Sequence, residues 1–449
     1  MSIATSLQKV LDSKEAIKTS INNKGGQITS ATPFSAYSAA IDNLPSGGGG
    51  DGVLKSVSES EFTGTSFTLA GVITEATIPS GVTSIPDSAF KDGKLIKSVK
   101  VYDGITQIGT SAFTNCVSLS SFTIPNTVTR ISQYAFRFCG SLSSITIPDS
   151  VTRIDQYAFS NCSGLTSITL PSGLTSIENG LFGVCSSLTT ITIPSAVTTI
   201  GTYAFQSCSS LSSITIPDSV TSIGASAFTS CNSLQNINIP SGVTNLGHST
   251  FGNCHSLTSI TIPDSVTGMG NYVFGNCRSL TSITIPDSVT TLGSMVFAGC
   301  SGLTDCTIGS GVTLIPNECF KECKSLTSVT IPNSVTKLGA YAFQSCSSLP
   351  SVTIPDSVTV IDTLCFQNCS ALTTVTVGSG ITALNQQCFT DLKGGEITIK
   401  ATTPPNLGTQ VFGLTGPSVI YVPAESVEAY KAATNWSAWA SRIQAIPTA

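Results

Sequence analysis

Fifteen phenylalanines recur at intervals of 23 residues, from Phe90 to Phe412, and twelve cysteines keep the same step from Cys116 to Cys369. A chain that repeats itself every 20 to 50 residues or so builds one supersecondary unit per repeat, and no unit buries its own apolar face. The units must therefore stack. The spacing predicts a repeat solenoid with an unslipping period of 23, whose core is a set of ladders in which each residue packs on its own copy in the next coil.

The columns of the repeat have separate tasks. Leu-x-x-Ile-x-Ile, as in Leu257, Ile260 and Ile262, alternates apolar with Ser or Thr, the pattern of a strand with one buried face. One short parallel strand per coil is expected. Proline follows it at ten positions from Pro125 to Pro355, replaced by Gly309 and Gly378, and ends the strand in a turn. In the second half, Val-x-x-Ile-x-x-x-Ala-Phe-x-x-Cys places apolar residues three and four apart, which predicts a helical turn or 3₁₀ segment closing the coil. With strands about 4.8 Å apart, roughly fourteen coils make a rod of about 65–70 Å.

The flanks differ. Residues 1–45 are read as a helical attachment and oligomerisation module: Ile3, Leu7, Val10, Ile17 and Ile21 fall at three- and four-residue steps interrupted by Lys14. Gly25-Gly26 stops that helix, and a second short one carries Phe34, Tyr37 and Ile41. Residues 46–52 form a Gly-rich tether. An N-terminal cap is expected over 53–75, the solenoid over 76–398, and a C-terminal strand-helix cap, holding Trp436 and Trp439, over 399–449.

The form Ile-Pro-x-x-Val-x-x-Ile-x-x-x-Ala-Phe-x-x-Cys, running from residue 76 to 398, resembles the 23-residue BspA-like class of leucine-rich repeats. Where the general leucine-rich repeat places Asn or Cys, this chain has Ser150, Ser219 or Ser265. The tail from Tyr421 to Lys431 and on to Trp436-Ser-Ala-Trp439 is similar to the terminal segment of that class. The resemblance implies a bacterial or protist surface protein engaged in adhesion. The leader around Leu11 to Gly25, continued from Thr32 to Ile41, resembles N-terminal segments of bacteriophage tail and other virion appendage proteins. The start of the chain lacks the charged, apolar and small-residue segments of a secretory signal.

Candidate chemistry is sparse. His248 and His255 occupy variable polar columns and read as surface residues. Asp149, Asp218, Asp264, Asp287 and Asp356 each follow proline, and turn chemistry explains them without a metal. In the cysteine column neighbouring Cβ vectors run parallel, a poor geometry for disulfides, so a reduced packing ladder is expected. Cys306, Cys319, Cys365 and Cys388 replace residues of other columns. No cofactor and no enzymatic activity are expected. Charged residues make up 10% of the chain and the net charge is −5, which argues against nucleic acid as a partner, and no apolar run is long enough to insert in a membrane.

The candidate surface is the polar side of the strand. Ser144 and Thr146, Ser167 and Thr169, Thr190 and Thr192, Ser213 and Thr215, Ser259 and Thr261, Ser282 and Thr284, and Ser328 and Thr330 align as two hydroxyl ladders. Asn236, Asn238 and Asp305 depart from the pattern and are read as tuning specificity. Such a face suits a host cell-surface glycan or protein through many weak contacts at a regular step; regular threonine ladders also resemble ice-binding faces. The reading taken is a phage virion structural protein, a tail or head fibre assembled in the host cytoplasm and held to other virion proteins, and to further copies of itself, through residues 1–45. The alternative is a bacterial or protist adhesin at the cell surface.

Overall fold

The computed structural model describes residues 74–78, 81–392 and 394–448. The leader, its tether and nearly all of the expected N-terminal cap lie outside the described residues, with Leu7, Val10, Leu11, Ile17, Ile21, Phe34, Tyr37 and Ile41 among them. What is described is a parallel solenoid.

Each coil has three walls. The first is the expected strand: Ser144–Thr146 pairs in parallel with Ser167–Thr169, Ile145 opposite Ile168, with the isoleucines buried and the hydroxyl residues outside. The second wall was not expected. A further two-residue strand, as in Arg130–Ile131 and Arg153–Ile154, forms its own parallel ladder, so a coil has two strands rather than one. The proline turn between them is tight enough for the chain to re-extend before the next apolar residue, Ile131 or Ile154, enters the core.

The third wall carries the Ala-Phe segment and is not the 3₁₀ stretch that the spacing suggested. Residues two before and two after each phenylalanine from Phe90 to Phe366 adopt positive φ, as at Tyr134 (59°) and Phe138 (62°) around Phe136. A 3₁₀ helix uses its N–H groups within itself. Alternating right- and left-handed residues instead turn every second N–H toward the neighbouring coil. Tyr134, Phe136 and Phe138 donate to the carbonyls of Gln156, Ala158 and Ser160 at 3.2, 2.8 and 2.9 Å, while Ala135, Arg137 and Cys139 close three-residue turns within their own coil. Left-handed backbone is strained for side chains such as Tyr, Phe or Val, and these cross-coil bonds hold it in place.

The phenylalanine rings form one continuous stack from Phe90 to Phe389, as in Phe136 on Phe159 at 5.3 Å and 3° and Phe343 on Phe366 at 5.0 Å and 1°. Beside it, each thiol of the twelve-residue cysteine column donates to the phenylalanine carbonyl of the preceding coil: Cys162 Sγ to Phe136 O at 3.1 Å, Cys231 Sγ to Phe205 O at 3.2 Å. The same carbonyl already accepts its own coil's Cys N–H. The column therefore needs a small apolar side chain with a donor, which is more than the packing role read from the sequence. All sixteen cysteines are free and buried.

The period slips once. Thr374 pairs with Glu396, a step of 22, while Glu396 pairs with Val419 and Ala383 with Asn406 at 23. Leu392 takes the place of the cysteine column, and the corner after it is one residue short; a longer corner before Asn406 restores the phase. The strand ladder then continues through Ile420, opposite Ile443. Tyr430 Oη and Trp436 Nε1 donate to the carbonyls of Ala401 and Pro405, both at 2.8 Å, and Trp439 meets Phe412 edge-on at 5.5 Å.

Two outcomes follow. Phe228→Ala, in the middle of the stack, removes contacts on both sides and lowers stability by about 3–5 kcal/mol in urea unfolding. Burial pushes Cys162, Cys208, Cys254 and Cys300 up to about 12. An unfolded chain loses those protons from about pH 8.5 upward, so the thiols stabilise the fold fully below that pH and the contribution falls by about 1.4 kcal/mol per thiol per pH unit as pH rises toward the folded value. Unfolding midpoints measured at rising pH should drop steeply above about pH 9; a flat profile to about pH 11 would contradict a protonated thiol ladder.

Candidate binding face

The first wall owes its flatness to the alternation of the sequence. Isoleucines at both inward positions anchor the strand, so the residues beside them point to solvent, and the step of one coil sets their spacing along the rod. Every one of the seventeen residues assigned to this face from the sequence is exposed.

The hydroxyls of the molecule divide into two classes. Three Ser/Thr columns are used internally. Thr166, Thr304 and Thr327 donate to the carbonyls of Ser143, Thr281 and Thr304 in the preceding coil at 3.0, 3.0 and 3.1 Å. On the second wall Thr129, Thr336 and Thr359 do the same to Thr106, Thr313 and Thr336. Ser219, Ser265 and Ser334 donate to Val197, Val243 and Val312 at 2.6–2.7 Å, filling the ladder position that the general repeat gives to Asn or Cys; Ser150 Oγ is buried there without a partner. The outward strand hydroxyls, by contrast, have no partner among the described residues, except that Ser328 Oγ donates to Asp305 Oδ1 at 2.9 Å.

Two of the three departures from the ladder are thereby placed. Asp305 is tied to its neighbour Ser328. Asn238 faces outward but bonds inward: its Oδ1 accepts from Ile216 N at 2.9 Å and its Nδ2 donates to Ile216 O at 2.8 Å. The side chain replaces the backbone ladder at that point, and the paired stretch shortens to Ser213–Ile214 against Asn236–Ile237. A shallow, open depression of about 510 Å³ results, lined by Thr215, Asn236, Asn238, Ser259, Thr261 and Pro263. Asn236 keeps its place in the ladder opposite Ser213 and Ser259.

Other candidate groups do not converge. His248 lies beside Ser249, 3.1 Å from its hydroxyl, and desolvation and Arg278 lower the pKa of His255. Three of the five post-proline carboxylates act across coils: Asp149 Oδ1 accepts from Ser172 N and Oγ, Asp287 Oδ1 from Ser310 N and Oγ, and Asp356 Oδ1 from Ser379 N. These bonds hold their pKa values low. Among the described residues no group of three His, Cys, Asp or Glu is arranged to hold a metal. The sequence reading missed one cluster: buried Asp155 accepts from Arg130 and Arg153, both at 2.6 Å. The signal was the step of 23 between the two arginines in a column whose other members, apart from Lys337, are uncharged.

Comparison with known proteins follows the same repeat. The BspA type leucine rich repeat region (6 copies) matches residues 60–189, 175–304 and 296–415. A leucine-rich repeat protein from Bacteroides ovatus is 30% identical over 77% of this chain and 82% of its own, with a TM-score of 0.58. A leucine rich cell surface protein from Faecalibacterium prausnitzii is 33% identical over 67% and 87%, with a TM-score of 0.48. A leucine-rich repeat protein from Eubacterium ventriosum is 26% identical over 67% of this chain and 83% of its own, with a TM-score of 0.45. No curated protein matches the chain. These similarities follow the repeat, and they lend the leader's likeness to virion proteins no support.

Proposed function

Because this chain belongs to the BspA-type leucine-rich repeat family, we propose that it is a non-enzymatic recognition protein of a cell surface, an adhesive rod whose first wall binds a repetitive, hydroxyl-rich polymer such as a surface glycan. The observation that carries this reading is the division among its hydroxyls. Three Ser/Thr columns largely donate to carbonyls of the neighbouring coil, whereas the outward strand hydroxyls, Ser328 apart, have no partner among the described residues and recur at one-coil intervals. A polymer with a comparable repeat meets many such pairs at once, so weak contacts accumulate.

A virion fibre would use the same wall. That placement, and homo-oligomerisation through residues 1–45, rest on the leader and the glycine tether of the sequence, and the relatives favour the cell surface.

Replacing Thr215, Thr261, Thr284 and Thr330 by Val removes four free hydroxyls while keeping β-branched side chains. At about 0.5–1.5 kcal/mol per hydrogen bond, binding to intact cells or their purified envelope glycan should weaken tenfold or more, with an unchanged unfolding midpoint. Unaltered binding would move the contact to another wall. Light-scattering mass of the full chain beside a chain beginning at Val53 tests the leader: a defined oligomer reduced to a monomer supports assembly through residues 1–45, and two monomers speak against it.

A further inference from the structure

Charge is unevenly spread along the rod. Between residues 91 and 153 seven Lys and Arg stand against three carboxylates, whereas between 154 and 320 Arg278 alone stands against seven. Four of the cations, Lys91, Lys94, Lys97 and Lys100, belong to one coil and all are exposed. None pairs with a carboxylate among the described residues.

Their spacing of three carries them around the coil. Lys91 follows Phe90 on the third wall, Lys94 and Lys97 take the corner through the turns at Gly93 and Ile96, and Lys100 ends the strand Ser98–Lys100 on the first wall. Two nearby carboxylates are engaged by the next coil, Asp87 by Thr110 N and Asp92 by Asn115 Nδ2; Glu75 and Asp103 flank the coil. Apolar surface lies among the ammonium groups: Leu95 is 49% exposed and Tyr102 39%, with Lys100 Nζ 5.0 Å from the Tyr102 ring centre.

We propose that this coil is a binding site for a flexible acidic polysaccharide, separate from the hydroxyl ladders that run from Ser144 to Thr330. A planar layer of anionic lipid headgroups meets one wall at a time, and so does a stiff duplex; four ammonium groups wound around a corner can be met together only by a chain that bends with them. The exposed Tyr102 ring offers a face on which the C–H side of a sugar stacks, and the carboxylate-rich coils beyond residue 154 confine a polyanion to this end. The contact is largely electrostatic and must weaken with salt.

The test uses the full chain on immobilised sulfated glycan and polygalacturonate, with polyglycerol phosphate, duplex DNA and phosphatidylcholine vesicles containing phosphatidylserine as comparisons. Retention on both acidic polysaccharides is expected, falling tenfold or more as salt rises from about 0.05 to about 0.3 M. The combination Lys91→Gln, Lys94→Gln, Lys97→Gln and Lys100→Gln should cost at least tenfold. The same number of charges removed at Lys324, Lys337, Lys400 and Lys431 should change affinity less than twofold, and the threonine substitutions on the hydroxyl wall should leave it intact. Equal losses from both lysine sets would overturn the site, as would no retention by the unaltered chain, or vesicles or DNA binding as tightly as the polysaccharides. Retention by polyglycerol phosphate alone would overturn the sugar assignment.

Discussion

Everything in this molecule depends on like packing upon like. Phe136 is held by Phe113 below and Phe159 above, and the leucine column and the period-23 cysteine column of the core repeat the arrangement. A stack of identical rings can be continuous only if the step between coils is constant, so the phenylalanine column fixes the pitch and the other columns follow it. Where the corner after Leu392 is one residue short, the pitch survives because Phe389 and Phe412 keep their spacing and a longer corner before Asn406 restores the phase.

Hydrogen bonding obeys the same constraint. In the third wall a helical turn would be locally easier, yet it would spend its N–H groups inside the coil. The left-handed residues at Tyr134 and Phe138 redirect them to the neighbour, and the thiol of the next coil's Cys162 reaches the Phe136 carbonyl. Local strain is accepted there because the bonds that compensate it recur in coil after coil. Small side chains with a donor recur in the columns that face a neighbouring carbonyl. The outward strand hydroxyls, Ser328 apart, have no such task among the described residues.

That sorting separates scaffold from surface, and it gives the family resemblance a physical content. The Ser219 class takes the place of the asparagine ladder of other leucine-rich repeats by donating to one carbonyl below it. Because the scaffold is satisfied without them, the outward strand residues and the exposed lysines of the first described coils are free to vary with the partner.

The sequence by itself determined the solenoid, its pitch, the membership of the core and the exposure of the Ser144–Thr330 face, since a column's burial is written in its residue type and repeats at every turn. The tertiary structure alone decided the second strand ladder, the left-handed wall, the slip after Leu392, the inward bonds of Asn238 and the division of the hydroxyls. The reason is geometric. Burial is a property of one residue and its periodicity, whereas a hydrogen bond between residues 22 to 26 apart depends on the sign of a backbone angle and on tenths of an ångström between coils, which residue identity does not encode.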